Sequence, residues 1–218
     1  MKDRYSIAVG LIFLAVIAVA TIQTLGGNGG GGTLGLDSQP QRWPLPEFAV
    51  PAAAGRLEGD ANIAQDDCES SAVPCPEDAR RLPACRIDDA EAIRACDFFD
   101  RPLVLSFWFT EGDCAAQQDA VDAVYGRYRG RVSFLSLNVR DDRDTVRELV
   151  REHGWEMPVG YDRDGAVAGL YRVGGCPTFA YAYPGGTLES SSIGDLTAAQ
   201  LGARVERLLK ATRAEEGR

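Results

Sequence analysis

Six cysteines carry the most chemistry in this 218-residue chain, and they fall into two groups. Cys68, Cys75, Cys85 and Cys96 crowd into 29 residues, whereas Cys114 and Cys176 stand apart, in Glu111-Gly112-Asp113-Cys114 and Gly174-Gly175-Cys176-Pro177-Thr178. A cysteine sulfur can attack as a thiolate, bind a soft metal or close a disulfide. Intervals of six, nine and ten residues within the crowded group contain no Cys-x-x-Cys pair, and the one histidine, His153, is distant, so a zinc site is not expected. The crowding reads instead as structural disulfides. Three pairings are open. Sequential pairing closes two short loops, of which Cys85 to Cys96 would contribute roughly 3 kcal/mol.

Disulfides require an oxidising compartment, and the N-terminus supplies a route to one. Ser6 to Leu25 is an uncharged apolar stretch preceded by Lys2 and Arg4. About twenty residues at about 1.5 Å rise match a hydrocarbon core of about 30 Å, and the flanking cations favour keeping the N-terminus in the cytoplasm. Residues 1–25 are therefore expected to be a cytoplasmic N-terminus and a single-pass anchor in the cell membrane, with everything after them extracytoplasmic. A cleaved signal peptide ending near Ala18-Val19-Ala20 is the rival reading. Seven glycines between Gly26 and Gly35, then prolines and alanines without sustained periodicity, predict a flexible linker over 26–67. A net charge of -9 without a basic stripe excludes a nucleic-acid partner.

A Cys-rich extension over 68–100 is followed by alternating strand and helix signals. Pro102 to Phe109 is a nearly continuous apolar run, as in a parallel strand covered on both faces. Val121, Val124, Tyr125 and Tyr128 fall at helical spacing. Arg131 to Val139 reads as the next strand, Thr145 to Val150 as a helix ended by Gly154, and Pro158 to Tyr161 as a short strand before another short helix through Leu170. Thr178 to Tyr183 and Leu188 to Ile193 form a hairpin around Pro184-Gly185-Gly186. Thr197 is the expected N-cap of a last helix reaching Thr212, with residues 213–218 a charged tail. The order β-α-β-α-β-α-β-β-α predicts an α/β domain over 101–212, a mixed central sheet with helices on both faces.

That order, with Phe107-Trp108, Pro158 to Gly165 (PVGYDRDG) and Tyr171 to Thr178 (YRVGGCPT), resembles the thioredoxin superfamily, in particular its membrane-anchored thiol-disulfide oxidoreductases and redoxins. The resemblance covers about Pro83 to Leu209 and implies a thioredoxin-like fold. It also marks a departure. In that family the attacking cysteine lies four residues after the tryptophan, where this chain has Gly112, so only a resolving-type cysteine, Cys114, carries over. Ser106 stands where thioredoxins often place a carboxylate. Cys176 precedes a proline that the family holds cis, which implies that Cys176 lies near the helix turn bearing Cys114 and pairs with it.

Cys114 and Cys176 are thus the candidate catalytic residues, and Trp108, Gly175, Pro177 and Thr178 the candidate substrate-binding ones. Trp108 and Trp155 also fit core and rim positions. Glu111 and Asp113 oppose a further anion beside Cys114. The implied activity is thiol-disulfide exchange with exported or membrane proteins bearing cysteines, without cofactor or metal. Copper chaperones of this fold use a spaced cysteine pair that is missing here, and the Pro-x-x-x-Thr-x-x-Cys context of a peroxidase is absent. The competing reading is a catalytically inactive binding module whose cysteines are all structural.

Overall fold

The computed structural model describes residues 35–57, 69–70, 73–74, 83–112 and 114–217. All lie in the second of the two units into which the chain divides, Leu34–Arg218. The expected membrane span, Ser6 to Leu25, lies outside the described residues. No helix among the described residues is long and apolar enough to cross a membrane.

In chain order the strands are β1 (Ala49–Pro51), β2 (Glu69–Ser70), β3 (Val73–Pro74), β4 (Ala92–Arg94), β5 (Leu103–Trp108), β6 (Ser133–Val139), β7 (Val159–Asp162), β8 (Thr178–Tyr183) and β9 (Thr187–Ile193). The helices are α1 (Gln117–Tyr128), α2 (Arg143–His153), α3 (Ala166–Leu170) and α4 (Ala198–Glu216). Strands β7-β6-β5-β8-β9 make the central sheet. β5, β6 and β7 run parallel, while β8 and β9 pair antiparallel. β5 is buried along its whole length, as its unbroken apolar run requires.

Alternation along β5 sends Val104, Ser106 and Trp108 to one face and Leu103, Leu105 and Phe107 to the other. The first face packs against Val121, Val124 and Tyr128 of α1 and Leu201, Val205 and Leu208 of α4. Both longer C-terminal helices begin as their sequences dictate. Asp142 caps α2 by accepting from the Thr145 N–H at 3.0 Å, and Thr197 with Gln200 forms a capping box on α4. The last helix continues through Glu216, which corrects the expectation of a charged tail from 213. Arg213 and Glu216 are exposed, while Glu215 pairs with Arg42 of the N-terminal segment.

The second face corrects a larger expectation. Residues 35–57 fall within the stretch read as flexible linker, yet Leu36, Phe48, Ala49, Val50 and Ala53 are completely buried. Leu36, Leu45, Phe48 and Val50 lie against Leu103, Leu105, Phe107, Leu135 and Leu137. β1 pairs antiparallel with β4, and Ala52 bridges Gly160 on the edge strand β7. A Cβ at Gly160 would meet Leu137 Cδ2 at 2.6 Å and Val50 Cγ2 at 2.7 Å, so glycine permits this close crossing. Arg143 donates to the carbonyls of Ala52 (3.0 Å), Gly55 (3.1 Å) and Leu57, and Arg147 to Gly55 (3.2 Å). The segment shows no periodicity because it follows the sheet as irregular chain. Its apolar residues meet the face one by one.

Asp162, at the end of β7, is buried and accepts from the N–H groups of Val167 (3.3 Å) and Ala168 (2.9 Å). Desolvation outweighs these bonds and pushes its carboxyl above the ordinary 3.8. The folded state therefore holds this proton more tightly than the unfolded state, and stability falls as pH rises from about 3.8 to the raised folded value. Denaturant unfolding across that interval is expected to show wild type losing stability relative to Asp162→Asn as pH rises. A gap moving the other way would contradict the assignment.

Candidate functional site

At the C-terminal end of β5 the chain turns before α1. Thr110 donates to Asp141 through its N–H (2.6 Å) and its hydroxyl (2.9 Å), and Asn138 adds a third bond to the same carboxylate at 2.6 Å. Gly112 follows with φ +68°, a left-handed conformation that a cysteine could adopt only under strain. Gly112, which the resemblance aligns with the family's attacking cysteine, thus holds a conformation that glycine adopts without strain.

Cys114 lies in the turn before α1, three residues upstream of its first helical residue. Across from it, the Cys176-Pro177 peptide bond is cis. Cys114 and Cys176 are disulfide-bonded, with Cα atoms 6.0 Å apart and a sequence separation of 62. Cys114 is 9% exposed; Cys176 is partly exposed. Thr178 is buried and donates through its hydroxyl to Gly175 O at 2.6 Å, which stiffens the loop around the cis bond.

The candidate residues divide accordingly. Cys114, Cys176 and Gly175 are gathered at one place, with Cys176 and Gly175 partly exposed, while Pro177 and Thr178 are buried. Trp108, expected to meet substrate, is completely buried, with its ring edge-on to Trp155 at 5.6 Å, so its indole belongs to the core. Trp155 in turn donates to Asp119 at 2.7 Å, and His153 Nδ1 lies 2.8 Å from the same carboxylate. His153 thus joins the end of α2 to α1.

In the first turn of α1, Gln118 Oε1 accepts from Ser136 (2.8 Å) and Ser106 (3.4 Å), all three residues being buried. Of the three, Ser106 is the residue that the resemblance aligns with a position where thioredoxins often have a carboxylate. Gln117 reaches the other way: its amide donates to Leu196 O (2.5 Å) and accepts from Leu196 N–H (2.8 Å), fixing the β9–α4 loop beside the site. A cleft of about 590 Å³ lies along the Gly174-Gly175 segment that leads to Cys176, with Phe109, Glu111, Val139, Arg140, Val173 and Gly175 among its walls. Val173 and Gly175 belong to the Tyr171 to Thr178 stretch, whereas no sequence signal identifies Gln117 and Gln118 at the start of α1 or Val139 and Arg140 in the cleft wall.

Cys85 and Cys96 form a second disulfide, Cα to Cα 5.9 Å, between two short 3₁₀ turns. Cys68 and Cys75 lie outside the described residues. Glu47 completes a cluster with Cys85 and Cys96 in which the ligand atoms lie within 4.8 Å of one another. With the sulfurs joined, the effect of that carboxylate is to repel an approaching thiolate.

A mixed five-stranded sheet with helices on it, a cis-proline loop and a sulfur pair between that loop and the turn before α1 make a thioredoxin-like fold. The AhpC/TSA family profile matches residues 80–187. The chain is similar to thiol-disulfide oxidoreductase ResA of Oceanobacillus iheyensis, 27% identical over 111 residues, which is 50% of this chain and 58% of that relative. The chain thus matches little more than half the length of this curated relative. Two solved structures share the fold. One is a DsbF homologue from Corynebacterium diphtheriae (TM-score 0.57, 14% identity, 85% of this chain and 96% of that one). The other is a secreted thiol-disulfide isomerase from Corynebacterium glutamicum (TM-score 0.51, 18% identity, 56% and 79%). The resemblance to thioredoxin-superfamily redoxins thus holds in both sequence and fold.

Proposed function

We propose that the protein is a thiol-disulfide oxidoreductase whose redox couple is Cys114 with Cys176, tethered through Ser6 to Leu25 so that its domain faces the extracytoplasmic side. The observation that carries this reading is the disulfide at the cis-proline loop, with one sulfur more accessible than the other. The tether is supported by the uncharged apolar stretch and its preceding cations.

In the oxidised protein a partner thiolate attacks Cys176 Sγ. A mixed disulfide forms, the Cys114–Cys176 bond breaks, and Cys114 leaves as a thiolate that takes up a proton. A second partner thiolate then attacks the partner's sulfur and releases Cys176. Two electrons have passed from partner to protein, and the partner gains a disulfide. Run in reverse, the reduced protein attacks a partner disulfide through Cys176, and Cys114 resolves the mixed disulfide. Partners are exported or membrane proteins with reactive cysteines.

Stepwise reduction of the native protein with a mild thiol, followed by alkylation and mass spectrometry, tests the couple. Cys114 and Cys176 are expected to be labelled first, ahead of Cys85 and Cys96, whose bond has Glu47 beside it. Labelling of Cys114 and Cys176 only after denaturation would favour a catalytically silent binding module.

A further inference from the structure

Glu47, Cys85 and Cys96 come from three separate segments, and the atoms they offer as ligands lie within 4.8 Å of one another. Glu47 is exposed and both cysteines are partly exposed, so solvent reaches all three. The disulfide is not their only tie. Ala95, beside Cys96, donates its N–H to the carbonyl of Phe48, beside Glu47, at 2.9 Å, and β1 pairs with β4 through Ala49 and Arg94. Arg94 Nη1 donates to Ile87 O at 3.0 Å, which joins the 3₁₀ turn bearing Cys85 to the strand that leads to Cys96. Ala49 and Ala84 share a small apolar core with Leu57, Ile87 and Ala92. None of these ties depends on the sulfur–sulfur bond, so opening it leaves the two sulfurs and the carboxylate as neighbours.

We propose that Cys85 and Cys96, once reduced, form with the Glu47 carboxylate a site for a zinc ion, so that this pair alternates between a disulfide and a metal-bound dithiolate. Two thiolates at about 2.3 Å and a carboxylate oxygen at about 2.0–2.2 Å are donors that zinc takes, with water completing four ligands. Two sulfurs on tetrahedral zinc lie about 3.8 Å apart. Cα atoms 5.9 Å apart allow that spacing by side-chain rotation. A dithiol reductant supplies the two electrons: its own sulfurs join in a cyclic disulfide, the Cys85–Cys96 bond breaks, and its two protons pass to the cysteines. Zinc then displaces those protons to solvent. The carboxylate that repels a thiolate from the closed disulfide attracts a cation to the open one. Cysteine spacing alone does not show such a site, because its third ligand comes from another segment. The inference is independent of the exchange reading of Cys114 and Cys176.

The test uses the full-length protein, fully reduced by a phosphine in the absence of oxygen, with and without zinc chloride. Brief alkylation followed by peptide mass spectrometry reads each cysteine separately. Zinc is expected to slow labelling of both Cys85 and Cys96 at least about tenfold, and Glu47→Ala to raise the zinc concentration for half protection at least about tenfold. Equal labelling of the two cysteines with and without zinc overturns the proposal. Half protection at the same zinc concentration in Glu47→Ala overturns it too, since the carboxylate would then be no ligand. Protection at Cys85 and Cys96 is read whether or not Cys114 and Cys176 exchange with partners, so the two readings fail separately.

Discussion

Replacing Tyr171 by alanine is expected to lower folding stability by about 3–5 kcal/mol, the cost of deleting a large buried aromatic. Tyr171 is completely buried directly after α3, where three rings converge on it. Phe107 of β5 lies 5.1 Å away, Phe48 5.8 Å and Trp43 6.0 Å, centroid to centroid. Its hydroxyl donates to Pro46 O at 2.8 Å. One side chain therefore joins the sheet, the α3 region and the irregular N-terminal segment, and its removal opens a cavity that rigid β-sheet cannot collapse to fill. Tyr171→Phe separates the contributions: only the hydrogen bond is lost, at about 1–2 kcal/mol. Urea unfolding of both variants measures the two costs. Equal costs would mean that packing around the ring contributes little, contrary to the contacts seen.

Exchange by Cys114→Ser is expected to stall at the mixed disulfide. Cys176, the more accessible sulfur, still attacks a partner disulfide, but the resolving thiol is gone. Resolution then depends on thiols from solution instead of one already held at the site, a loss of about 100-fold or more at millimolar competitor. Nonreducing electrophoresis should show the adduct accumulate with Cys114→Ser and fail to appear with Cys176→Ser. The opposite pattern would assign attack to Cys114. Serine at either position should leave the fold in place, because the cis-proline loop is also held by Thr178 to Gly175 and by Gly194 to Pro177.

The central sheet was legible in the chain because its signals are local. An unbroken apolar run gave β5, helical spacing gave α1, and Thr197 and Gly154 marked helix ends where the backbone needs a cap or a left-handed residue. The Gly112 turn was legible only as a missing cysteine. Its φ supplies the reason, since a left-handed position favours a residue without a Cβ. Residues 35–57 were misread for the complementary reason: Leu36, Phe48 and Val50 have no period, and what they cover is specified by strands far along the chain.

The sequence by itself determined the order of elements from β5 to α4, the cysteine count and the proline after Cys176, all of which depend on neighbours within a few positions. Only the tertiary structure decided that Cys114 and Cys176 share a bond, that Trp108 is enclosed, and that Gln117 borders the site. Those facts depend on where a parallel sheet places loops separated by dozens of residues. Pairwise distance across such a fold is fixed by the packing of both faces at once, and no local pattern encodes it.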